Sequence, residues 1–168
     1  EQGLNYTAFE LISAKQKRLQ AWFIPAPTVP APAVIITHGW GGNAALMLPL
    51  VKPLHAAGFA VLLFDARCHG ASEDDDYMAL PRFAEDIATT LRWLVQQPGV
   101  DAQRLALLGH SVGAGACLLH AAQGQFARGH GRVGEDRPEP PPVDAQAGRQ
   151  PAAQPGRQVV GDQQGLAK

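Results

Sequence analysis

A serine lies at the centre of a glycine-flanked pentapeptide, Gly109-His110-Ser111-Val112-Gly113. The pentapeptide follows an apolar run and opens a stretch of small residues, which predicts a tight turn from a strand into a helix. Such a turn lifts the serine hydroxyl clear of the sheet, and glycine on either side permits the close packing that it needs. Ser111 is therefore a candidate nucleophile. The alternative is a strand-to-helix turn whose serine has no chemical role.

Two other loops carry polar residues where a predicted buried strand ends. The segment His38-Gly39-Trp40-Gly41-Gly42 follows one strand, and Asp65-Ala66-Arg67-Cys68-His69-Gly70-Ala71-Ser72 follows the next. In order and spacing, these loops and the Ser111 pentapeptide resemble the motifs of α/β-hydrolases, especially esterases, lipases, thioesterases and serine aminopeptidase-like members. The resemblance covers about residues 6–123. Cys68 stands where glycine is commoner, with no evident catalytic consequence.

The resemblance implies a serine hydrolase that cleaves a carboxylic ester, thioester or small amide through an acyl-enzyme on Ser111. It also implies that the backbone N–H groups of Trp40 and Val112 form the oxyanion hole that such chemistry requires. The resemblance implies that the Trp40 loop and the Ser111 turn are supported by His38, Gly39, Gly109, His110 and Gly113. We expect the His110 side chain to point away from Ser111, and we expect Arg67 and His69 to organise their loop through hydrogen bonds.

The triad acid and histidine cannot be assigned from the sequence. In this superfamily they follow the serine, each after a later strand. The candidates beyond the Ser111 helix are His130, Asp136, Asp144 and Asp162, and none of them follows an apolar strand. A catalytically inactive, truncated remnant or an interaction fragment is therefore the alternative to an active hydrolase.

The hydrophobic pattern predicts an α/β fold, in which two short amphipathic stretches form an N-terminal hairpin and buried strands then alternate with helices. The hairpin strands are predicted at residues 7–12 and 19–24, the buried strands at 33–37, 59–64 and 104–108, and the helices at 44–57, 83–97 and 112–123. Continuous apolar strands joined by helices are typical of a parallel sheet. We therefore expect residues 1–123 to form part of an α/β-hydrolase domain with a mostly parallel sheet.

From residue 124 onward the composition changes abruptly. Residues 124–168 contain no Ile, Tyr, Trp, Ser, Thr or Asn and are rich in Gly, Pro, Gln and Arg. Such a segment lacks the apolar residues of a core, which predicts disorder. The proline run at 138–142 is interpreted as a linker or translation artefact, with a polyproline ligand as the alternative. We hypothesise a frameshifted or recombined gene, or a fragment, whose product folds poorly alone.

Composition narrows the classes of partner. The formal net charge is −1, which favours a small acyl substrate over nucleic acid. No apolar run is long enough for a membrane span, and the implied chemistry needs no cofactor.

Asp74-Asp75-Asp76 is interpreted as solvated charge rather than a metal site. Cys68 and Cys117 are expected to be reduced thiols, which favours the cytoplasm. The sequence does not indicate an oligomeric state.

Overall fold

The computed structural model describes residues 3–124 as five strands and the helices that pack on them. The strands are β1 (Thr7–Ile12), β2 (Arg18–Ile24), β3 (Ala31–Thr37), β4 (Ala60–Phe64) and β5 (Val100–Gly109), and the helices are α1 (Val51–Ala56), α2 (Leu80–Leu94) and α3 (Val112–Ala122). A 3₁₀ helix at Ala44–Leu50 precedes α1. The predicted tail from residue 125 onward lies outside the described residues.

The strands form one mixed sheet in the order β1-β2-β4-β3-β5. Strands β3, β4 and β5 run parallel to one another. The prediction that all three are buried holds for β3 and β4 but is wrong for β5, which lies at the edge of this sheet and is only partly buried. The predicted hairpin also forms, and β2 joins the sheet antiparallel to β4. The expected α/β fold is thus confirmed, with the hairpin contributing the antiparallel part of the sheet.

Both faces of the sheet are covered at β3 and β4, which explains why these strands are apolar except for Thr37 at the end of β3. Alternate side chains point to opposite faces, so Ile35 and Leu62 pack towards α2 and α3 while Ile36 and Leu63 pack towards the 3₁₀ helix and α1. All four of these side chains are at most 1% exposed. Since neither face of such a strand meets water, its side chains need not alternate between apolar and polar.

Several predicted element boundaries shift in the structure. The predicted helix at 44–57 is divided, because Pro49 lies inside the first part and a proline cannot donate the backbone hydrogen bond of an α-helix. Helix α2 begins at Leu80, three residues earlier than predicted, with Pro81 in its first turn, where a missing N–H costs nothing. Strand β5 extends from residue 100 to 109 rather than from 104 to 108.

Candidate active site

Ser111 lies in the turn between β5 and α3, directly before the first residue of α3. Its backbone has φ 54° and ψ −121°, and the residue is exposed. Side chains other than glycine rarely occupy positive φ, and holding one there costs roughly 1–3 kcal/mol. The turn is held by hydrogen bonds from the N–H of His110 to the Thr37 carbonyl (3.0 Å) and from the N–H of Gly113 to the His110 carbonyl (2.9 Å). The strain is therefore maintained by the surrounding backbone.

The two glycines of the pentapeptide permit this close approach. A Cβ atom on Gly113 would overlap the carbonyl oxygen of His38 and lie 2.6 Å from that of Thr37. A Cβ atom on Gly109 would overlap the backbone of Gly113 and Ala114. A larger residue at Gly113 would push the start of α3 away from the end of β3, and one at Gly109 would push it away from the end of β5.

The segment His38–Gly42, here called the β3 loop, lies directly against the Ser111 turn. A Cβ atom built on Gly39 would be 3.3 Å from the Cβ of Ser111 and 2.8 Å from Nδ1 of His110. The His110 ring thus packs against the β3 loop. In the part of the chain that the structure describes, the N–H groups of Trp40 and Val112 donate to no protein acceptor. For Val112 this follows from its place in the first turn of α3.

His38 is fully buried beneath the β3 loop. Its Nδ1 lies 2.8 Å from the Gly39 carbonyl oxygen, and its Nε2 accepts a hydrogen bond of 3.0 Å from the Ala66 N–H. A ring that accepts at Nε2 and faces a carbonyl at Nδ1 is neutral, with its proton on Nδ1. Burial lowers the pKa of His38, and the neighbouring His69 acts in the same direction, while the contact with Gly39 opposes both.

Asp65 ties the start of the 3₁₀ helix to the segment Asp65–Ser72, here called the β4 loop. Its carboxylate accepts hydrogen bonds from the N–H of Ala44 (2.7 Å) and from the N–H of Ala71 (2.8 Å). The Ser72 hydroxyl donates to the Asp65 carbonyl at 2.6 Å. One buried carboxylate therefore joins the start of the 3₁₀ helix, which follows the β3 loop, to the later part of the β4 loop.

Arg67 anchors the β4 loop to helix α2 through buried ion pairs. Its side chain is fully buried and donates to Asp86 from Nε (2.9 Å) and Nη2 (2.6 Å), and also to Asp75 (3.1 Å) and Glu85 (3.0 Å). Burial raises the pKa of Asp86, and the hydrogen bonds from Arg67 act in the opposite direction. The expectation that Arg67 organises its loop by hydrogen bonding agrees with this geometry.

The interpretation of Asp74-Asp75-Asp76 as solvated charge is wrong for its central residue. The Asp75 side chain is only 6% exposed and pairs with both Arg67 and Arg82. These pairs and the N–H of Asp76 lower the pKa of Asp75, with the Asp76 contact the largest cause. Among residues 3–124, no group of three or more metal-ligating side chains is positioned to hold an ion.

Cys68 occupies a left-handed backbone position, with φ 62°. This conformation explains why glycine is commoner there, since a Cβ atom disfavours positive φ. The Cys68 sulfur accepts a hydrogen bond from the Asp75 N–H at 3.2 Å, which closes the loop around it. His69 follows and places its Nδ1 2.9 Å from the Arg67 carbonyl.

Exposed apolar side chains lie on the elements next to the Ser111 turn. Trp40 is 61% exposed, and its ring meets His69 edge-on with centroids 5.8 Å apart. Leu46 approaches the β3 loop at Gly42, and Leu80 approaches α3 at Gly115, one turn beyond Ser111. Sequence reasoning missed Leu46 and Leu80 because only the folded chain brings the 3₁₀ helix and the start of α2 to the site.

A general base for Ser111 is not identified among residues 3–124. Both nitrogens of His38 are engaged, and His120 is buried on α3 with neither ring nitrogen hydrogen-bonded. The remaining candidates named from the sequence, His130, Asp136, Asp144 and Asp162, lie outside the described residues. No helix among the described residues is long and apolar enough to cross a membrane.

The fold and these loops define the chain as an α/β-hydrolase, and solved structures agree. The α/β-hydrolase GrgF from Penicillium has a TM-score of 0.66 at 27% identity, over 71% of this chain and 42% of that one. An esterase from Pyrococcus furiosus has a TM-score of 0.64 at 24% identity, over 70% and 44% of the two chains, which supports the fold alone.

Within that class, the chain belongs to the serine aminopeptidase S33 family, whose model matches residues 28–135. It is 38% identical over 106 residues to the uncharacterised protein YfhR of Escherichia coli, covering 61% of this chain and 36% of that protein. It is 31% identical over 107 residues to a thiohydrolase of Arthrinium phaeospermum, covering 59% and 33%. The chain thus spans about a third of the length of these curated relatives.

Proposed function

We propose that this chain carries the nucleophile of a serine hydrolase that cleaves a carboxylic ester, thioester or small amide. The observation that carries the proposal is the strained backbone of Ser111, at the start of α3 and in contact with the β3 loop. Strain of this kind persists at functional sites because it holds a reacting group in place. A serine without a chemical role at the same turn would gain nothing from this backbone strain.

In the proposed reaction, a base removes the Ser111 proton as Oγ attacks the substrate carbonyl. The tetrahedral oxyanion accepts hydrogen bonds from the N–H groups of Trp40 and Val112, which have no protein acceptor among the described residues. The intermediate then expels the alcohol, thiol or amine, which takes the proton from the base. Water hydrolyses the resulting acyl-enzyme by the same route and restores Ser111. The base is supplied from outside residues 3–124.

The surroundings of Ser111 favour an uncharged, apolar acyl group. Trp40 and Leu46 are 61% and 69% exposed, and Leu80 is 38% exposed, so all three offer apolar surface to a ligand. Apolar lining with few polar groups is typical of small-molecule sites. A thiohydrolase among the similar proteins is consistent with an acyl substrate.

The alternative is an inactive remnant or interaction fragment. It is favoured by one observation: among residues 3–124, no hydrogen-bonded acid–histidine pair accompanies Ser111. A serine hydroxyl without a base is a weak nucleophile. In that case the strained turn would record the ancestry of the chain rather than its present activity.

The free thiols support a reducing compartment as the proposed location. Cys117 is buried and Cys68 is partly exposed, and neither forms a disulfide. Burial raises the pKa of Cys117, which keeps it protonated and unreactive. The cytoplasm is the compartment that this state favours.

Hydrolysis of p-nitrophenyl acetate and butyrate by the full chain tests the proposed function. We expect turnover that Ser111→Ala abolishes and that the control Ser13→Ala retains, because Ser13 lies in the distant hairpin turn. Circular dichroism of all three proteins establishes that they fold. Equal rates for the two variants would reject the proposal, and a folded but inert wild type would favour the remnant.

A further inference from the structure

We propose that Leu80 limits the length of the acyl group that Ser111 accepts, because it closes a short groove that runs from Ser111 along α3. This groove, here called the acyl groove, is bounded by Trp40, Leu80 and Gly115. The inference rests on the proposed function and names the substrate class of the same site: esters, thioesters or amides of short apolar acids.

Gly115 forms the floor of the acyl groove. It lies one helical turn after Ser111, and its N–H donates to the Ser111 carbonyl at 3.2 Å. Residues four apart lie on the same face of a helix, so Gly115 and Ser111 are neighbours on the surface of α3. Apart from the α3 backbone and the adjacent residues, the only described atoms within 4 Å of a Cβ built on Gly115 are Cδ1 and Cδ2 of Leu80, at 3.1 and 3.9 Å. The absent side chain thus leaves a space next to Ser111 that ends at Leu80.

The first turn of α2 connects the two sides of the acyl groove. Leu80 is the first residue of α2, and the fully buried ring of Phe83, three residues later, has its centroid 6.3 Å from that of Trp40. Residues three apart lie on the same face of a helix, so this face of α2 extends from α3 to the Trp40 ring. Trp40 in turn follows Gly39, on which a Cβ would lie 3.3 Å from the Cβ of Ser111. The groove therefore opens at the nucleophile.

The backbone of Leu80 is fixed by contacts that lie outside the acyl groove. The guanidinium of Arg82, two residues further along α2, pairs with the buried carboxylate of Asp75 and lies 4.5 Å from the centroid of the Tyr77 ring. The Phe83 side chain is part of the core. Leu80 thus presents its side chain from a rigid element, and a residue that limits the size of a ligand needs such support.

The dimensions of the acyl groove correspond to a short acyl chain. One turn of an α-helix rises about 5.4 Å, which an extended chain of about four carbons spans. Leu80 is 38% exposed, so its methyl groups lie at the surface where a longer chain would pass. Such a chain would have to displace Leu80 or leave its last carbons in water, and either outcome reduces the free energy gained by burial. We therefore expect butyryl esters to be preferred over octanoyl esters.

Two variants move one leucine side chain from α2 to α3. Leu80→Ala removes the side chain and opens the acyl groove. In Leu80→Ala/Gly115→Leu, a leucine on α3 occupies the vacated space, because a Cβ at residue 115 would lie 3.1 Å from the Cδ1 of Leu80. The control is Ile12→Ala, since Ile12 is also exposed and apolar but lies on β1, at the opposite edge of the sheet from β5. Circular dichroism establishes that all variants fold.

The measured quantity is kcat/KM for p-nitrophenyl octanoate divided by kcat/KM for p-nitrophenyl butyrate. We expect Leu80→Ala to raise this ratio about 10-fold, since even one methylene in an apolar pocket can change kcat/KM by that factor. The double variant should return the ratio to within about threefold of wild type, and Ile12→Ala should leave it within about twofold. A merely structural role of Leu80 would lower both rates together. An unchanged ratio in Leu80→Ala, or a double variant whose ratio stays as high, would overturn the proposal.

Binding of uncharged amides tests the acyl groove without turnover. If wild type shows no Ser111-dependent turnover, the proposed function fails, and NMR titration of the full chain with butanamide and octanamide then decides the role of Leu80. We expect butanamide to shift the Gly115 amide resonance of wild type, and Leu80→Ala to lower the Kd of octanamide relative to that of butanamide about 10-fold. No shift at Gly115, or an unchanged ratio of the two Kd values, would contradict the proposal.

Discussion

At the scale of single residues, the glycines around Ser111 differ in what a methyl group would meet. On Gly113 a Cβ would overlap the His38 carbonyl, whereas on Gly115 its nearest neighbour is the flexible tip of Leu80, at 3.1 Å. The sequence pattern indicated that Gly113 is needed for close packing. It gave no indication of what a side chain at Gly115 would meet, because that depends on which element lies opposite the residue.

We therefore predict that Gly113→Ala lowers the free energy of unfolding by about 2 kcal/mol or more, since backbone must move to admit the methyl group. The control, Gly115→Ala, should be neutral or stabilising by up to about 1 kcal/mol, because alanine is the better helix former and Leu80 can shift. Urea unfolding of both variants measures the difference. Equal destabilisation would show that the tight contact at His38 is not what requires glycine.

At the scale of elements, the strands were the most predictable part of the chain. Runs such as Val34-Ile35-Ile36 are apolar because the sheet is covered on both faces, and that pattern is visible in the sequence. The link between the β4 loop and α2 was only partly predictable. Arg67 was recognised as a loop organiser, but its partner Asp86 looks like any polar residue of an amphipathic helix until the fold buries it.

We predict that Arg67→Met lowers the free energy of unfolding by about 3 kcal/mol, because it leaves the Asp86 carboxylate buried without its principal partner. The double variant Arg67→Met/Asp86→Asn should recover part of that loss, since the unpaired charge is then absent. Arg104→Met serves as the control, because Arg104 pairs with Asp101 at the surface and should cost less than about 1 kcal/mol. A double variant less stable than the single one would contradict the charge-pair explanation.

At the scale of the whole molecule, two buried histidines couple folding to pH. Burial lowers the pKa of His38 and of His120, and the nearby Arg92 adds to the effect at His120. The unfolded chain therefore binds more protons than the folded one once the pH falls below the ordinary histidine value of 6.5. Stability should be complete above that value and decline below it.

We predict that the free energy of unfolding falls between pH 7 and pH 5, by at most about 1.4 kcal/mol per pH unit for each of the two histidines. Replacement by an untitratable residue, His120→Leu, should make the decline shallower. Urea unfolding at several pH values measures the slope. Carboxylates such as Asp75, whose pKa is lowered from 3.8, contribute their loss only at lower pH. An unchanged slope in His120→Leu would contradict the role of that residue.

The loops and the nucleophile of the candidate site could be predicted from the sequence, but its acid and base could not. Ser111, the β3 loop and the β4 loop were identified from their motifs, and the fold brings all three together. The apolar surroundings and the hydrogen bonds of His38 emerge only from tertiary packing. The acid and base remain unassigned, because residues 3–124 form only part of what the family's relatives span.

The most direct test of the central claim is reaction of the folded full chain with a fluorophosphonate probe, followed by mass spectrometry of its peptides. An activated serine reacts with such a probe far faster than an ordinary hydroxyl. The proposed function predicts rapid modification of Ser111 in the folded chain, far slower modification of Ser111 in the chain unfolded in urea, and no modification at this position in Ser111→Ala. A folded chain whose Ser111 reacts no faster than it does in the unfolded chain would contradict the claim and identify the chain as an inactive relative of serine hydrolases.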